Sequence, residues 1–297
     1  MPDSLPRYER SKEAPPEPVA LDVRSVIPAS GLEAALAAAA LSEGGRALAR
    51  GLVRLGRTAM FDGGGAGIDY GSLLKTAVRP DHLAAHVREA SDHLVERRVD
   101  LLMVPGMSGY PVGAMYSIVS GIPAVLLKKQ RHDGRMPAGG YPVGAFVIPS
   151  YTGDLDVLIS ADGPAVQDIV DTILHGQLAA QRDARQMQFS LRVAGADDII
   201  DKATMSQAVS DSALIVGRAA IHSFVERYRV ASGDTRPASA QVEVVAWVTP
   251  LIKGYNRPHE HLQRWFGIAP FAGLNVTSVH LDPPAIGIEG LGIVAFR

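Results

Sequence analysis

The chain has 297 residues, is 47% hydrophobic and 20% charged, and carries a formal net charge of -2. That length buries the core of one large domain or two small ones, and the charge balance argues against a strongly basic surface for nucleic acid. Cysteine is absent, which removes disulfides, thiolate catalysis and cysteine-ligated zinc and fits a cytoplasmic location.

The opening MPDSLPRYERSKEAPPEPVA is charged and proline-rich, so it is neither a signal peptide nor a membrane helix. An extended arm over 1–29, free to dock on a neighbour, is expected. From Ser30 the alanine-rich stretch reads as two short helices broken at Gly44 and Gly45, since each glycine costs about 1 kcal/mol in a helix. The glycine cluster Phe61 to Gly71 reads as a loop. Asp81 to Arg98 places Leu83, Val87, Ala90, Leu94 and Val95 on one helical face. It feeds the apolar strand Val99 to Val104, then the helix Val112 to Ser120, then the strand Ala124 to Leu127. This βαβ order favours a parallel sheet with a ligand at strand C-terminal ends.

Beyond Lys129, QRHDGRMPAGGYPVG is too long for a tight turn and reads as a flap. Phe146 to Ile148 and Asp156 to Ser160 read as strands, and the helix after Pro164 carries Val166, Ile169, Val170, Ile173 and Leu174 at helical spacing. From Gln181 the pattern reads as polar helix, with helices around Asp197 to Ala208 and Ser212 to Arg229. On that reading the adjacent Asp197 and Asp198 lie on a solvated helix face. QVEVVAWVTP is a β-branched strand, and Leu274 to Phe296 reads as antiparallel strands. In HEH, His259 to His261, the two histidines diverge if Pro258 starts a helix, which disfavours a metal site.

The pieces DYGSLL at Asp69 to Leu74, the helix from Asp81, SGYPVG at Ser108 to Gly113, SGIPAVLL and the pair Lys128, Lys129 stand in an order that resembles the purine branch of the type I phosphoribosyltransferase family. The resemblance runs from about Asp69 to Asp162. It implies that Gly106, Met107, Ser108 and Gly109 form a pyrophosphate loop whose N–H groups face phosphoribosyl pyrophosphate. Ser108 stands where the family has arginine. The resemblance further implies that Lys128 and Lys129 neutralise phosphate charge during catalysis, that Mg2+ shields the diphosphate, and that Arg131 to Gly140 closes as the flap. Tyr110 and Tyr151 are the implied base-stacking groups. The family's strand with two acids and a threonine-glycine loop finds its counterpart in GDLDVLISADGPAV, where Asp162 serves as the catalytic and ribose-binding acid and Gly163 as what is left of the phosphate loop. A second candidate, DIVDTILHGQ at Asp168 to Gln177, has helical spacing.

The expected fold is α/β: a parallel sheet of the type I phosphoribosyltransferase kind with an N-terminal helical arm and a C-terminal α+β extension. Residues 1–29 form the arm, 30–185 the core and 186–297 the C-terminal portion completing or extending it. The expected activity is phosphoribosyl transfer to a purine-like base or related heterocycle. The alternative is a non-catalytic protein of the same fold that senses a nucleotide or another phosphorylated ligand. The expected partners are a phosphorylated small molecule and a heterocyclic base, with no nucleic acid and no membrane, in a homo-oligomer covering the arm and the aromatics Trp265, Phe266 and Phe271.

Overall fold

The computed structural model describes residues 5–8, 21–61, 65–74, 80–137, 139–149 and 156–296. Helices α1 (Leu32–Ala38) and α2 (Glu43–Leu55) precede a hairpin of β1 (Arg57–Phe61) and β2 (Gly65–Asp69), the short α3 (Gly71–Leu74) and α4 (Ala84–Glu96). Then come β3 (Leu101–Pro105), α5 (Tyr110–Ser120), β4 (Ala124–His132), β5 (Phe146–Pro149), β6 (Asp156–Ser160) and α6 (Gly163–Ala179). The last third holds β7 (Met187–Ala196), the two-residue β8 (Ile199–Ile200), α7 (Thr204–Ser232), β9 (Ala238–Lys253), α8 (Pro258–Phe266), β10 (Phe271–Leu281), β11 (Pro284–Ile288) and β12 (Gly292–Ala295).

The main sheet runs β12-β11-β10-β9-β7-β3-β4-β6-β5. Its centre, β10-β9-β7-β3-β4, is parallel, and both margins are antiparallel. Alternation along each buried strand divides the core between two helical layers. Leu101, Met103, Phe189, Leu191 and Trp247 face α6 and α7, whereas Leu102, Val104, Ala194, Ala246 and Val248 face α1, α2, α4 and α5. The chain passes from β3 outward to β4 and then returns to β7 on the other side of β3. The connections therefore part between β3 and β7, and such a switch point, beyond the strand C-termini, is where open α/β sheets generally bind ligands.

The strands expected at 99–104, 124–127, 146–148 and 156–160 are present, and Asp168 to Gln177 is helical, within α6. Asp156 to Ser160 runs antiparallel to β4. Other expectations change. The helical break falls at residues 39–42, and Gly44 and Gly45 lie in the first turn of α2; a Cβ at Gly44 would sit 2.6 Å from the His86 backbone, so the close approach of α4 demands glycine there. The glycine-rich Gly65–Asp69 pairs with β1 instead of looping. The segment read as polar helix contains β7, paired on both edges by β3 and β9, and the helices expected at 197–208 and 212–229 are one helix of 29 residues starting at Thr204.

Of the N-terminal arm, residues 5–8 lie against the same chain. Tyr8 N donates to Val147 O at 3.1 Å, Val147 N donates to Pro6 O at 3.0 Å, and the Tyr8 hydroxyl donates to Asp211 at 2.8 Å. Among the described residues no helix is long and apolar enough to cross a membrane.

Candidate functional site

The turn after β3 is built by its own neighbours. Val104 and Pro105 pair with Leu126 and Leu127 of β4, which fixes the direction in which residues 106–109 leave the sheet. A Cβ at Gly106 would lie 2.7 Å from the Leu127 carbonyl oxygen, and one at Gly109 would lie 2.8 Å from Asp197 Oδ1 and 2.9 Å from the Pro105 carbonyl oxygen. Glycine is thus required by the close approach of β4 and of Asp197. Met107 is 73% exposed at the tip, and Ser108 is half-buried. The Tyr110 hydroxyl donates to Leu127 O at 2.5 Å, fastening the start of α5 to β4. Burial raises the Tyr110 pKa, and the charge of Lys128 works in the opposite direction.

Opposite that turn, β7 ends in two adjacent acids. Asp197 and Asp198 are 9% and 6% exposed, which corrects the solvated helix face expected for them. Backbone pairing holds them: Asp197 N donates to Val248 O of β9 at 3.2 Å, and Asp198 N donates to Asp197 Oδ1 at 2.9 Å. Burial, reinforced by the neighbouring Asp198 charge, pushes the Asp197 carboxyl well above the ordinary aspartate range, and Lys129 acts to lower it. Three phenols stand close enough to feel these acids or Asp201. Burial first, and then the charges of Asp198, Asp201 and Asp197, raises the pKa of Tyr70. Tyr116 is raised by burial and by Asp198 and Asp197, and Tyr255 by burial and Asp201. All three remain protonated, and the Tyr116 hydroxyl pairs with His86 Nε2 at 2.9 Å.

The loop that follows carries a third acid. Lys253 Nζ donates to Asp201 at 3.0 Å, and the Asn256 amide donates to its other oxygen, joining the end of β9 to the loop between β7 and α7. Ala203 adopts the left-handed conformation at φ 59 as the residue before α7, with no side-chain cap. The first-turn N–H groups of α7 therefore lack a capping acceptor from that residue.

The residues expected from the sequence fall into two groups. Gly106 to Tyr110 follow β3 beside Asp197, and Lys129 lies near enough to act on Asp197. Lys128, Asp162 and Gly163 sit at the antiparallel margin. Lys128 Nζ donates to Asp162 Oδ2 at 2.7 Å, while Asp162 Oδ1 accepts from Ala165 N at 3.4 Å to cap α6. Successive strand residues point to opposite faces, so the two lysines part. Tyr151 lies outside the described residues. His259 and His261 fall on α8 as expected, with His261 stacked on Trp265, and no group of three or more His, Cys, Asp or Glu able to hold a metal occurs among the described residues.

The diacid is the feature that sequence reasoning misplaced, although a signal for it exists. Met187, Phe189, Leu191 and Val193 are buried while Gln188 and Ser190 are exposed, which is the period of a strand running straight into Asp197 and Asp198.

No family model and no curated protein matches the chain. Solved structures do. Adenine phosphoribosyltransferase from Rhodothermus marinus has 14% identity and a TM-score of 0.44 over 77% of this chain and 97% of its own. The enzyme from Thermoanaerobacter pseudethanolicus has 15% identity and a TM-score of 0.41 over 73% and 95%, and that from Giardia lamblia, complexed with 9-deazaadenine, 13% and 0.42 over 76% and 96%. The chain is similar to adenine phosphoribosyltransferases. At these identities and TM-scores the likeness assigns neither activity nor substrate.

Proposed function

We propose that this chain transfers a phosphoribosyl group from phosphoribosyl pyrophosphate to a nucleobase or related heterocycle in the crevice between β3 and β7. One observation carries the reading: a buried pair of acids ends the central parallel strand, in contact with the glycine turn that ends its neighbour. The sequence resemblance attaches the glycine turn to the diphosphate and, through its two-acid strand, the ribose to Asp162. In this proposal the acid role belongs to Asp197 and Asp198, with Lys128 and Asp162 at the periphery.

The turn amides of residues 106–109 and the Lys129 ammonium stabilise charge on the departing diphosphate, which is where such a reaction gains most from a preorganised site. The bond from the sugar C1 to the diphosphate oxygen breaks, a bond from C1 to a ring nitrogen forms, and the nitrogen's proton leaves to solvent. Asp197 and Asp198 hold the ribose hydroxyls. The amides that open α7 offer the position for the 5'-phosphate.

A Mg2+ ion suits this donor set. Two adjacent carboxylates together with substrate phosphates form the hard-oxygen environment that magnesium takes, with no dedicated protein cage required. Asp197 and Asp198 would hold it, and it would shield the diphosphate charge.

A second reading, a non-catalytic protein that binds a nucleotide or another phosphorylated ligand, is favoured by Ser108, which brings no positive charge to the diphosphate turn, and by the glycine-free Lys202-Ala203-Thr204 where the chain enters α7. Pyrophosphate release from phosphoribosyl pyrophosphate and Mg2+, measured with adenine, hypoxanthine, guanine and uracil in turn, separates the two. Release with one base supports transfer. No release with any base, together with a thermal shift on adding a nucleotide, leaves the binding protein.

A further inference from the structure

Apart from the crevice proposed at β3 and β7, the antiparallel margin forms a half-open pocket of about 820 Å³ between β4, β6, the start of α6, the middle of α7 and the loop that the sequence suggested as a flap. Its volume falls in the range of pockets for small organic ligands, about 300–1,000 Å³. Gly144, at φ 70, seats the end of that loop on α7, where a Cβ would meet Ser212 Oγ at 3.1 Å. The loop is thus packed as a wall of this cavity.

The chemistry of the lining narrows the ligand. Its charged groups, Lys128 and Asp162, already satisfy each other at 2.7 Å, so an anion entering there would meet the Asp162 carboxylate and a cation the Lys128 ammonium. The remaining polar groups are neutral. The Gln130 amide and the Ser160 and Ser223 hydroxyls line the cavity, and no hydrogen bond engages them among the described residues. Gln167 spends its amide NH2 on Asp171 and the Ala220 carbonyl, which leaves its oxygen as an acceptor. The rest of the wall is aliphatic side chains and loop prolines. Neutral donors and acceptors spread around apolar walls match an uncharged molecule with polar groups along its edge and apolar faces.

We propose that this cavity is a second ligand site, separate from the crevice, that takes a neutral heteroaromatic molecule of nucleobase to nucleoside size. Adjacent residues of β4 face the two places: Lys128 lines the cavity, and Lys129 is near enough to Asp197 to act on its charge.

Saturation-transfer NMR and calorimetry with adenine, adenosine and uridine as probes test this on the full chain. Ala219 is exposed on α7 and lines the cavity, so Ala219→Trp fills it from a surface position, and Asp198→Asn alters the crevice alone. The expected result is binding of at least one probe that weakens tenfold or more in Ala219→Trp and stays within twofold in Asp198→Asn. Binding that survives Ala219→Trp and is lost in Asp198→Asn places the ligand in the crevice and overturns the proposal. So does an absence of binding for all three probes at millimolar concentration. Should Ala219→Trp fail to fold, Gln130→Leu is measured against the same thresholds. Failure of phosphoribosyl transfer would leave this result standing, because the probes are read without turnover.

Discussion

Two regions of the molecule place a lysine near an acid, and they differ in what surrounds the acid. At the antiparallel margin Lys128 and Asp162 bond directly at 2.7 Å, yet their side chains are 57% and 39% exposed. At the switch point Asp197 is 9% exposed beside a second acid, and Lys129 acts on it from a distance. Solvent screens the direct pair, yet Lys128 is the largest influence on Asp162 and favours its charged form. At Asp197 burial and the Asp198 charge outweigh Lys129 and favour the neutral acid. Burial, more than the distance to a lysine, ranks the two regions by how far the acid is held from its ordinary state.

The largest expected effect tests that ranking by activity. Asp198→Asn should lower kcat/KM at least 100-fold, about 2.7 kcal/mol at a tenfold change per 1.36 kcal/mol, whereas Asp162→Asn should change it less than threefold. Steady-state kinetics on the two variants decides. Equal losses would return Asp162 to the site, as its sequence counterpart first suggested.

The next effect compares two glycines. Gly109→Ala drives a Cβ to within 2.8 Å of Asp197 Oδ1 and 2.9 Å of the Pro105 carbonyl oxygen, and overpacking of this kind costs about 1–3 kcal/mol. Gly163→Ala at the start of α6 has open space around its Cβ and should leave stability within about 0.5 kcal/mol. Urea unfolding of both variants reads the difference. An unperturbed Gly109→Ala would mean that the turn does not pack on the diacid.

Most of the sheet could be read in advance because period-two and period-3.6 patterns reflect burial on one face or two. α4 carries a helical face, while β3, β4 and β9 stand out as apolar or β-branched runs. The diacid was misplaced because Asp197 and Asp198 are followed by Ile199, Ile200 and Ala203 at spacings that also fit a helix, and two charged residues in a helical pattern ordinarily face solvent. Their burial depends on β3 and β9 closing over β7 from distant parts of the chain. The split of Lys128 from Lys129 was hidden for a similar reason, since it rests on β6 pairing antiparallel at the far edge of β4. At Gly106 and Gly109 protein atoms come within 3 Å of where a Cβ would sit, a crowding that depends on β4 and on Asp197 and so has no mark in the local sequence.

A smaller effect follows from the raised Asp197 pKa. The folded chain holds the Asp197 proton more tightly than the unfolded chain does, so it binds more protons in the window between the ordinary aspartate value and the raised one. Stability therefore falls as pH rises through that window. Asn at position 197 stays neutral throughout and keeps an oxygen for the Asp198 N–H. Asp197→Asn should raise Tm at pH 8 and lose that advantage near pH 4, as followed by calorimetry across that range. A constant offset at every pH would show that the folded and unfolded chains hold this proton alike.

The smallest expected effect separates the two things Asp162 does. Its Oδ2 accepts from Lys128 while its Oδ1 caps α6 through Ala165 N. The pairing with Lys128, then the cap, holds its pKa below the ordinary aspartate value. Asp162→Asn keeps a capping oxygen and removes the charge, so it should cost little, because solvent screens an exposed pair. Asp162→Ala removes the cap as well and should cost more. Urea unfolding in low and high salt tells them apart. Salt should weaken the wild type toward the Asn variant by screening the pair, while the further loss in the Ala variant persists at both ionic strengths, because a helix cap is a short-range hydrogen bond.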